Sequence, residues 1–204
     1  MHLRRRAAGG GFTLVDLLLT TAILGIVVLV STPPLLRSTA RLRLRMAASE
    51  ASRILFVARS YAVRHNANVG VKFHPAEGGA ATTWSLHLDG DGDGVRTADV
   101  RDGDDPPVPA PGGGMRRVAR FASGIGFGFP EGPLPRDPGG GPLGRRDDPI
   151  RFNRSDIAAF GPLGTATPGS LYLTDGALLA AVRVTGRTGR IRVLLYDEEA
   201  GEWR

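Results

Sequence analysis

The sequence predicts an α+β fold in which a long N-terminal helix packs on an antiparallel β-sheet. Three observations carry this expectation. An almost wholly apolar run extends from Phe12 to Thr32, a segment with apolar or small residues at helical spacing follows it, and short β-type runs between Gly, Pro and Asp turns fill the remainder. With 204 residues and 42% hydrophobic content, the chain has room for one ordinary domain plus an appendage.

Residues 1–11 read as a basic leader with Arg4, Arg5 and Arg6. Residues 12–34 read as a transmembrane helix, since Phe12 to Thr32 at ~1.5 Å per residue covers about 31 Å, the thickness of a bilayer's hydrocarbon core. The leader arginines keep that end cytoplasmic, which sends the rest of the chain to the other side. Asp16 is the one acid within the run; a carboxylate there costs ~2.5–3.5 kcal/mol on insertion scales and calls for an amine partner. Ser31-Thr32-Pro33-Pro34 is expected to kink or locally melt the helix, because proline donates no amide.

Residues 35–66 read as an amphipathic helix ending near His65. Ala47, Ala51, Ile54, Leu55, Ala58 and Ala62 form its packing stripe, with Arg45, Glu50, Arg53, Arg59 and Arg64 between them. Residues 67–204 read as the β-rich part. Strands are expected at Asn68–His74, Thr83–Leu88, Arg116–Phe121, Ile125–Phe129, Ile150–Phe152, Ser170–Thr174, Leu178–Thr185 and Arg190–Tyr196. The Gly/Pro-dense stretch 102–149 between them reads as mobile loops unlike a packed core.

Several chemistries are excluded by composition. Without cysteine there is no disulfide, thiolate nucleophile or Cys-ligated metal. The only lysine, Lys72, follows Val71, so no Gly-Lys-Ser/Thr phosphate loop exists. The histidines His2, His65, His74 and His87 form no His-Glu-x-x-His and no evident Ser/His/Asp set, and His74 and His87 read as strand decoration. Gly124-Ile-Gly126-Phe-Gly128 lacks the spacing of a dinucleotide fingerprint. An enzyme is therefore not expected, and no cofactor is called for beyond an ion.

The ion that the sequence offers a place for is calcium. Asp89-Gly-Asp91-Gly-Asp93-Gly94 matches the opening of a calcium loop, although Val100 stands at the twelfth position where an acid is required and Asp99 or Asp102 would have to substitute. A solvated Asp-Gly turn after the strand ending at Leu88 is the reading these residues favour over calcium. The formal charge of +6 permits anion binding. Strand alternation around a turn at Gly186-Arg187-Thr188-Gly189 is expected to show Arg183, Arg187, Arg190 and Arg192 on one face, either as phosphate contacts or as a solvated face neutralised by Asp197, Glu198, Glu199 and Glu202.

Small residues precede the apolar run, whereas a secretory signal places them after it. Gly11-Phe12-Thr13-Leu14-Val15-Asp16-Leu17-Leu18 resembles the processing motif of type IV prepilins, and Pro33 falls where that family commonly carries a helix-kinking proline. The resemblance implies cleavage between Gly11 and Phe12 by a prepilin peptidase that also methylates the new N-terminus. It further implies a pilin-like fold, and pairing of the acid at Asp16 with the N-terminal amine of a neighbouring subunit; the family has Glu there. Ile150-Arg-Phe152, Gly161, Gly164, Ser170-Leu-Tyr-Leu173, Val182-Arg-Val-Thr-Gly-Arg187 and Gly189-Arg-Ile-Arg-Val193 are similar to the branch holding the type II secretion pseudopilin H and FimT.

The implied function is that of a minor pilin or pseudopilin in a type II secretion pseudopilus or a type IV pilus. Its implied location is the bacterial inner membrane, with the C-terminal part in the periplasm. Implied partners are other pilin or pseudopilin subunits, the peptidase and the inner-membrane assembly platform. Gly189-Arg190-Ile191-Arg192 also matches an element that FimT-like proteins use on DNA, so a DNA-binding minor pilin with Arg187, Arg190 and Arg192 on phosphates is an alternative. An uncleaved membrane-anchored domain with a calcium-dependent or hydrolytic role is the alternative of a different class.

Overall fold

A computed structural model describes residues 13–75, 82–108, 117–118, 121 and 124–204. The processing pair Gly11 and Phe12 lies outside the described residues. Helix α1 runs from Leu14 to His65. Thr13 opens it: the Asp16 carboxylate accepts from the Thr13 amide at 3.0 Å and hydroxyl at 2.7 Å, while the Asp16 amide donates back to the hydroxyl at 3.2 Å. This reciprocal arrangement satisfies donors that a helix start leaves orphaned.

The helix is unbroken through residues 31–34, so the melting expected around Pro33 does not occur. The two prolines are adjacent, which confines the lost bonds to the carbonyls of Leu29 and Val30, and the ladder resumes on both sides. Thr32 donates its hydroxyl to Val28 O at 2.6 Å, and Thr20 and Thr21 fold theirs onto carbonyls four residues back at 2.9 Å each, so polar side chains in this apolar stretch are satisfied locally.

Two compact units divide the chain at Thr39/Ala40. In the first, the large apolar side chains from Leu14 to Val30 are exposed, Leu14 by 74% and Leu29 by 76%. In the second, the predicted stripe of Ala47, Ala51, Ile54, Leu55, Ala58 and Ala62 is buried, and Leu44 and Ala48, which the periodicity reading did not include, are buried with it. Asn66, at φ 50°, ends the helix in the left-handed region while the Ala67 amide donates to Ala62 O at 3.2 Å.

All strand pairs are antiparallel, as expected, but they form two sheets rather than one. Strands β1 (Val69–His74), β2 (Thr83–Leu88) and β3 (Arg117–Val118) belong to the first. Its order is β3-β2-β1-β6, with β6 at Ile157–Phe160 on the far edge. The second has the order β10-β9-β8-β7-β4. It is built from β4 (Gly126–Phe127), β7 (Gly169–Thr174), β8 (Leu179–Thr185), β9 (Arg190–Asp197) and β10 (Glu202–Trp203), with β5 (Ile150–Arg151) sharing β7's outer edge. A short helix, α2 (Thr97–Asp102), follows the aspartate loop. Strand β6, strand β10 and α2 are additions to the sequence reading.

The main core joins α1 to the inner faces of both sheets through Val69, Val71 and Phe73 of β1, Leu171 and Leu173 of β7, and Val182 and Val184 of β8. The Phe73 and Phe152 rings stack at 6.3 Å. The outer face of the second sheet carries its own small core, where Tyr172, Leu179 and Ala181 meet Leu143, with Phe129, Leu134, Tyr196 and Trp203 packed around them. The Gly/Pro-rich stretch is corrected here: residues 129–143 form a strap with its own apolar anchors, not an unpacked loop.

Candidate functional site

Three places carry the candidate residues. At the N-terminus, the Asp16 carboxylate accepts two hydrogen bonds, both from Thr13 of its own chain. Pro33 lies within the uninterrupted helix.

The aspartate loop follows β2. Asp89 accepts from Gly92 N at 2.7 Å on one oxygen, and from Gly94 N at 3.1 Å and Asn68 Nδ2 at 2.7 Å on the other. Desolvation pushes its carboxyl up, but these hydrogen bonds outweigh it and hold the group below the ordinary carboxylate range. Asp91 accepts from Asp93 N at 3.2 Å. Buried Asp105 closes the loop, taking Gly90 N at 3.2 Å and Arg96 N at 2.8 Å on separate oxygens. Nothing but glycine fits at 90, where a Cβ would stand 2.0 Å from Asp104 O.

Carboxylate oxygens of Asp89, Asp91 and Asp93 come within 4.8 Å of one another, as the spacing predicts. Asp99 is not in that group. It stands in the first turn of α2 with one buried oxygen, Oδ2, that has no hydrogen-bond partner among the described residues. Desolvation raises its carboxyl, and the charges of Asp105 and Asp91 add to the rise. Asp93 is raised too, chiefly by desolvation, with the Arg96 guanidinium opposing and Asp91 adding. The chemistry of the donors suits a hard cation, yet three carboxylates meet only part of the roughly 6–8 oxygens that calcium takes.

Beneath the loop lies a relay that the sequence did not announce. His74 Nε2 is 3.1 Å from Ser85 Oγ, Ser85 Oγ is 2.9 Å from His87 Nε2, and His87 Nδ1 is 3.1 Å from Asp105 O. A carbonyl only accepts, so neutral His87 carries its proton on Nδ1 and takes the Ser85 hydroxyl at Nε2. The terminal member is a backbone carbonyl rather than a carboxylate, and Ser85 is only 4% exposed. The relay therefore ties β1 and β2 to the aspartate loop.

On the second sheet, β8 and β9 pair Arg183 with Arg192 and Thr185 with Arg190. The expected quartet is corrected to a trio. Arg183 Nη1 donates to Asp137 at 2.9 Å and to Ser170 Oγ at 3.1 Å, and Asp137 also accepts from the Tyr172 hydroxyl. This removes Arg183 from the solvent face; a like-charged cross-strand pair becomes tolerable because Asp137 neutralises one member. Arg187, Arg190 and Arg192 are exposed and make no ion pair among the described residues. Asp197, an expected neutraliser, is bound by Arg204 at 2.8 Å.

Two contributors to this region were missed. Asp137 sits in the Gly/Pro strap with no local pattern to mark it. Arg59 of α1 donates to Thr188 O at 3.2 Å and so ties the β8–β9 turn to the helix; a charge between packing positions on a helix ordinarily signals only a solvated edge.

Comparison with protein-family models, with curated proteins and with solved structures found no match.

Proposed function

We propose that the chain is a minor pilin or pseudopilin, a non-enzymatic structural subunit of a type II secretion pseudopilus or a type IV pilus that acts at the tip or in assembly initiation. The observation that carries the reading is the joining of two features in one helix. The motif Gly11-Phe12-Thr13-Leu14-Val15-Asp16 opens an apolar stretch whose large side chains from Leu14 to Val30 are exposed, and the same α1 continues into a stripe that belongs to the core of an α+β unit. A subunit held in the bacterial inner membrane before assembly, and then extracted into a filament, needs such a helix twice, once against lipid and once against its neighbours. Its periplasmic part would be residues 40–204, and its partners the peptidase, the assembly platform and other pilin subunits.

Mass spectrometry of the mature N-terminus tests this. The expected product begins at N-methylated Phe12, and a Gly11→Ala protein that is still processed at Phe12 would overturn the reading.

A second reading, a DNA-binding minor pilin for natural transformation, is favoured by the exposed Arg187, Arg190 and Arg192, which lack carboxylate partners among the described residues. Binding of duplex DNA by the chain separates the two.

A further inference from the structure

Two surfaces of residues 40–204 carry opposite charge. From Ala40 to His65, α1 holds Arg41, Arg43, Arg45, Arg53, Arg59 and Arg64 against the single acid Glu50. The segment Asp89–Asp105 holds seven aspartates against Arg96 and Arg101. Among the described residues each surface keeps an excess of its own sign, although Arg96 pairs with Asp93 and Arg101 with Asp102 inside the acidic segment. Glu50 pairs with Arg53 at 3.3 Å on an exposed edge, a contact of little worth, and Asp91 and Asp104 have no ion pair among the described residues.

The basic surface also has an apolar floor. Arg53, Phe56, Val57, Ser60, Tyr61 and Arg64 line a shallow groove on α1, with Phe56 44% and Val57 52% exposed and Tyr61 packed against the edge of the main core. Tyr61 is stacked on His65 at 4.0 Å, which stiffens one wall. Exposed aromatic and β-branched side chains rimmed by arginine are the composition of an interface core and rim, not of an ordinary solvated helix face. The acidic segment presents α2, a helix with no buried residue and with Ala98 exposed.

We infer that the arginine-rimmed groove of α1 receives the α2 aspartate segment of a second copy of this chain. The two patches are different surfaces of one molecule, so the contact is heterologous: each copy offers a groove to one neighbour and an α2 segment to another, which yields an open array unless the rotation closes. The contact stands apart from the minor-pilin reading, since it requires neither cleavage nor a membrane.

The test uses the full chain in detergent, where the absence of native cysteine gives a clean background. Copies carrying Ser60→Cys are mixed with copies carrying Ala98→Cys under oxidising conditions. The expected result is a disulfide between unlike copies, weakening as salt rises. Arg53→Glu with Arg64→Glu should cut that yield at least about tenfold, and so should Asp102→Arg with Asp104→Arg, since each opposes like charges. With those pairs placed on both Cys partners, the groove-reversed and the loop-reversed proteins should each fail alone and recover when mixed, because each then meets its opposite. Exclusive Ser60→Cys self-linkage, an unchanged yield after charge reversal, or no recovery on mixing would overturn the inference. Sequencing the N-terminus of the same preparation keeps the outcomes separate: cross-linking without a Phe12 terminus defeats only the pilin reading, and a Phe12 terminus without cross-linking defeats only this one.

Discussion

Arg183 on β8 and Asp137 in the strap meet at 2.9 Å, with the arginine side chain 26% and the aspartate 16% exposed. Asp137 also receives the hydroxyls of Ser170 and Tyr172, so one carboxylate anchors the strap to the outer face of the second sheet. Gly139 makes the approach feasible, since a Cβ there would lie 2.2 Å from Arg183 Nη2. Asp137→Ala leaves the Arg183 guanidinium with Ser170 Oγ but without a counter-charge, and takes the carboxylate acceptor from the buried Tyr172 phenol, and should cost about 2–4 kcal/mol. Hydrogen exchange should rise across residues 129–143 while the core of β7 and β8 keeps its protection. Arg183→Met in the Asp137→Ala background should recover part of the loss, because both charges are then gone.

Tyr172 supplies a pH dependence. Burial, with Asp137 hydrogen-bonded to the phenol as the second cause, drives its ionisation well above the ordinary tyrosine value. A raised folded-state value means the stabilisation is complete below about pH 10, where the unfolded phenol still holds its proton. Above that pH the unfolded chain ionises first, so stability falls as pH rises. Urea midpoints measured from pH 8 to 11 should decline in the wild type and decline less steeply in Tyr172→Phe.

These two residues show where the sequence speaks and where it does not. The end of α1 at His65 and the whole of β2 were legible because helical periodicity and strand alternation are local signals. So were the clustering of Asp89, Asp91 and Asp93, set by a spacing of two in a turn, and the common face of Arg190 and Arg192. Strand β6 reads Ile157-Ala-Ala-Phe160, with no polar residue to mark an alternation, and α2 is six residues, under two helical turns. Asp137 lies 46 residues from Arg183, and its role exists only after the strap has docked. Glycine and proline counts describe the strap's backbone and say nothing of Phe129, Leu134 and Leu143, the few side chains that hold it down.

Asp105 should matter more to the aspartate loop than the residues that look like metal ligands. Its buried carboxylate holds two backbone amides, so Asp105→Ala should cost about 2–3 kcal/mol with or without calcium. Thermal melts in chelator and in millimolar calcium check this. A calcium-dependent rise in Tm that Asp91→Ala removes would assign the cluster to the ion, by preferential binding to the folded chain.

Asp16 closes the first turn of α1 through Thr13, which gives it a role inside the chain as well as the proposed one between subunits. Asp16→Ala should still enter the membrane, since removing a carboxylate favours insertion. It should be lost from filaments. Asp16→Asn separates the roles, because the amide keeps an acceptor for Thr13 but carries no charge for a neighbour's amine. Incorporation of Asp16→Asn at the wild-type rate would confine the residue to capping.

The basic trio makes the sharpest division between the two filament readings. If Arg187, Arg190 and Arg192 each neutralise one phosphate, the chain should bind duplex DNA weakly and without base preference, with a log–log salt slope of roughly −2.7. Arg190→Gln should weaken all sequences alike and flatten the slope by about one, since a backbone contact positions without specifying. Arg183→Gln should leave the slope unchanged, because Asp137 already occupies that guanidinium. Arg59→Gln frees the Thr188 carbonyl and loosens the turn that carries Arg187, so it should lower affinity with little effect on the slope of the remaining contacts. Fluorescence anisotropy across a salt series reads all four proteins. No binding at low ionic strength would leave the trio as a solvated face and return the chain to the secretion-pseudopilin reading.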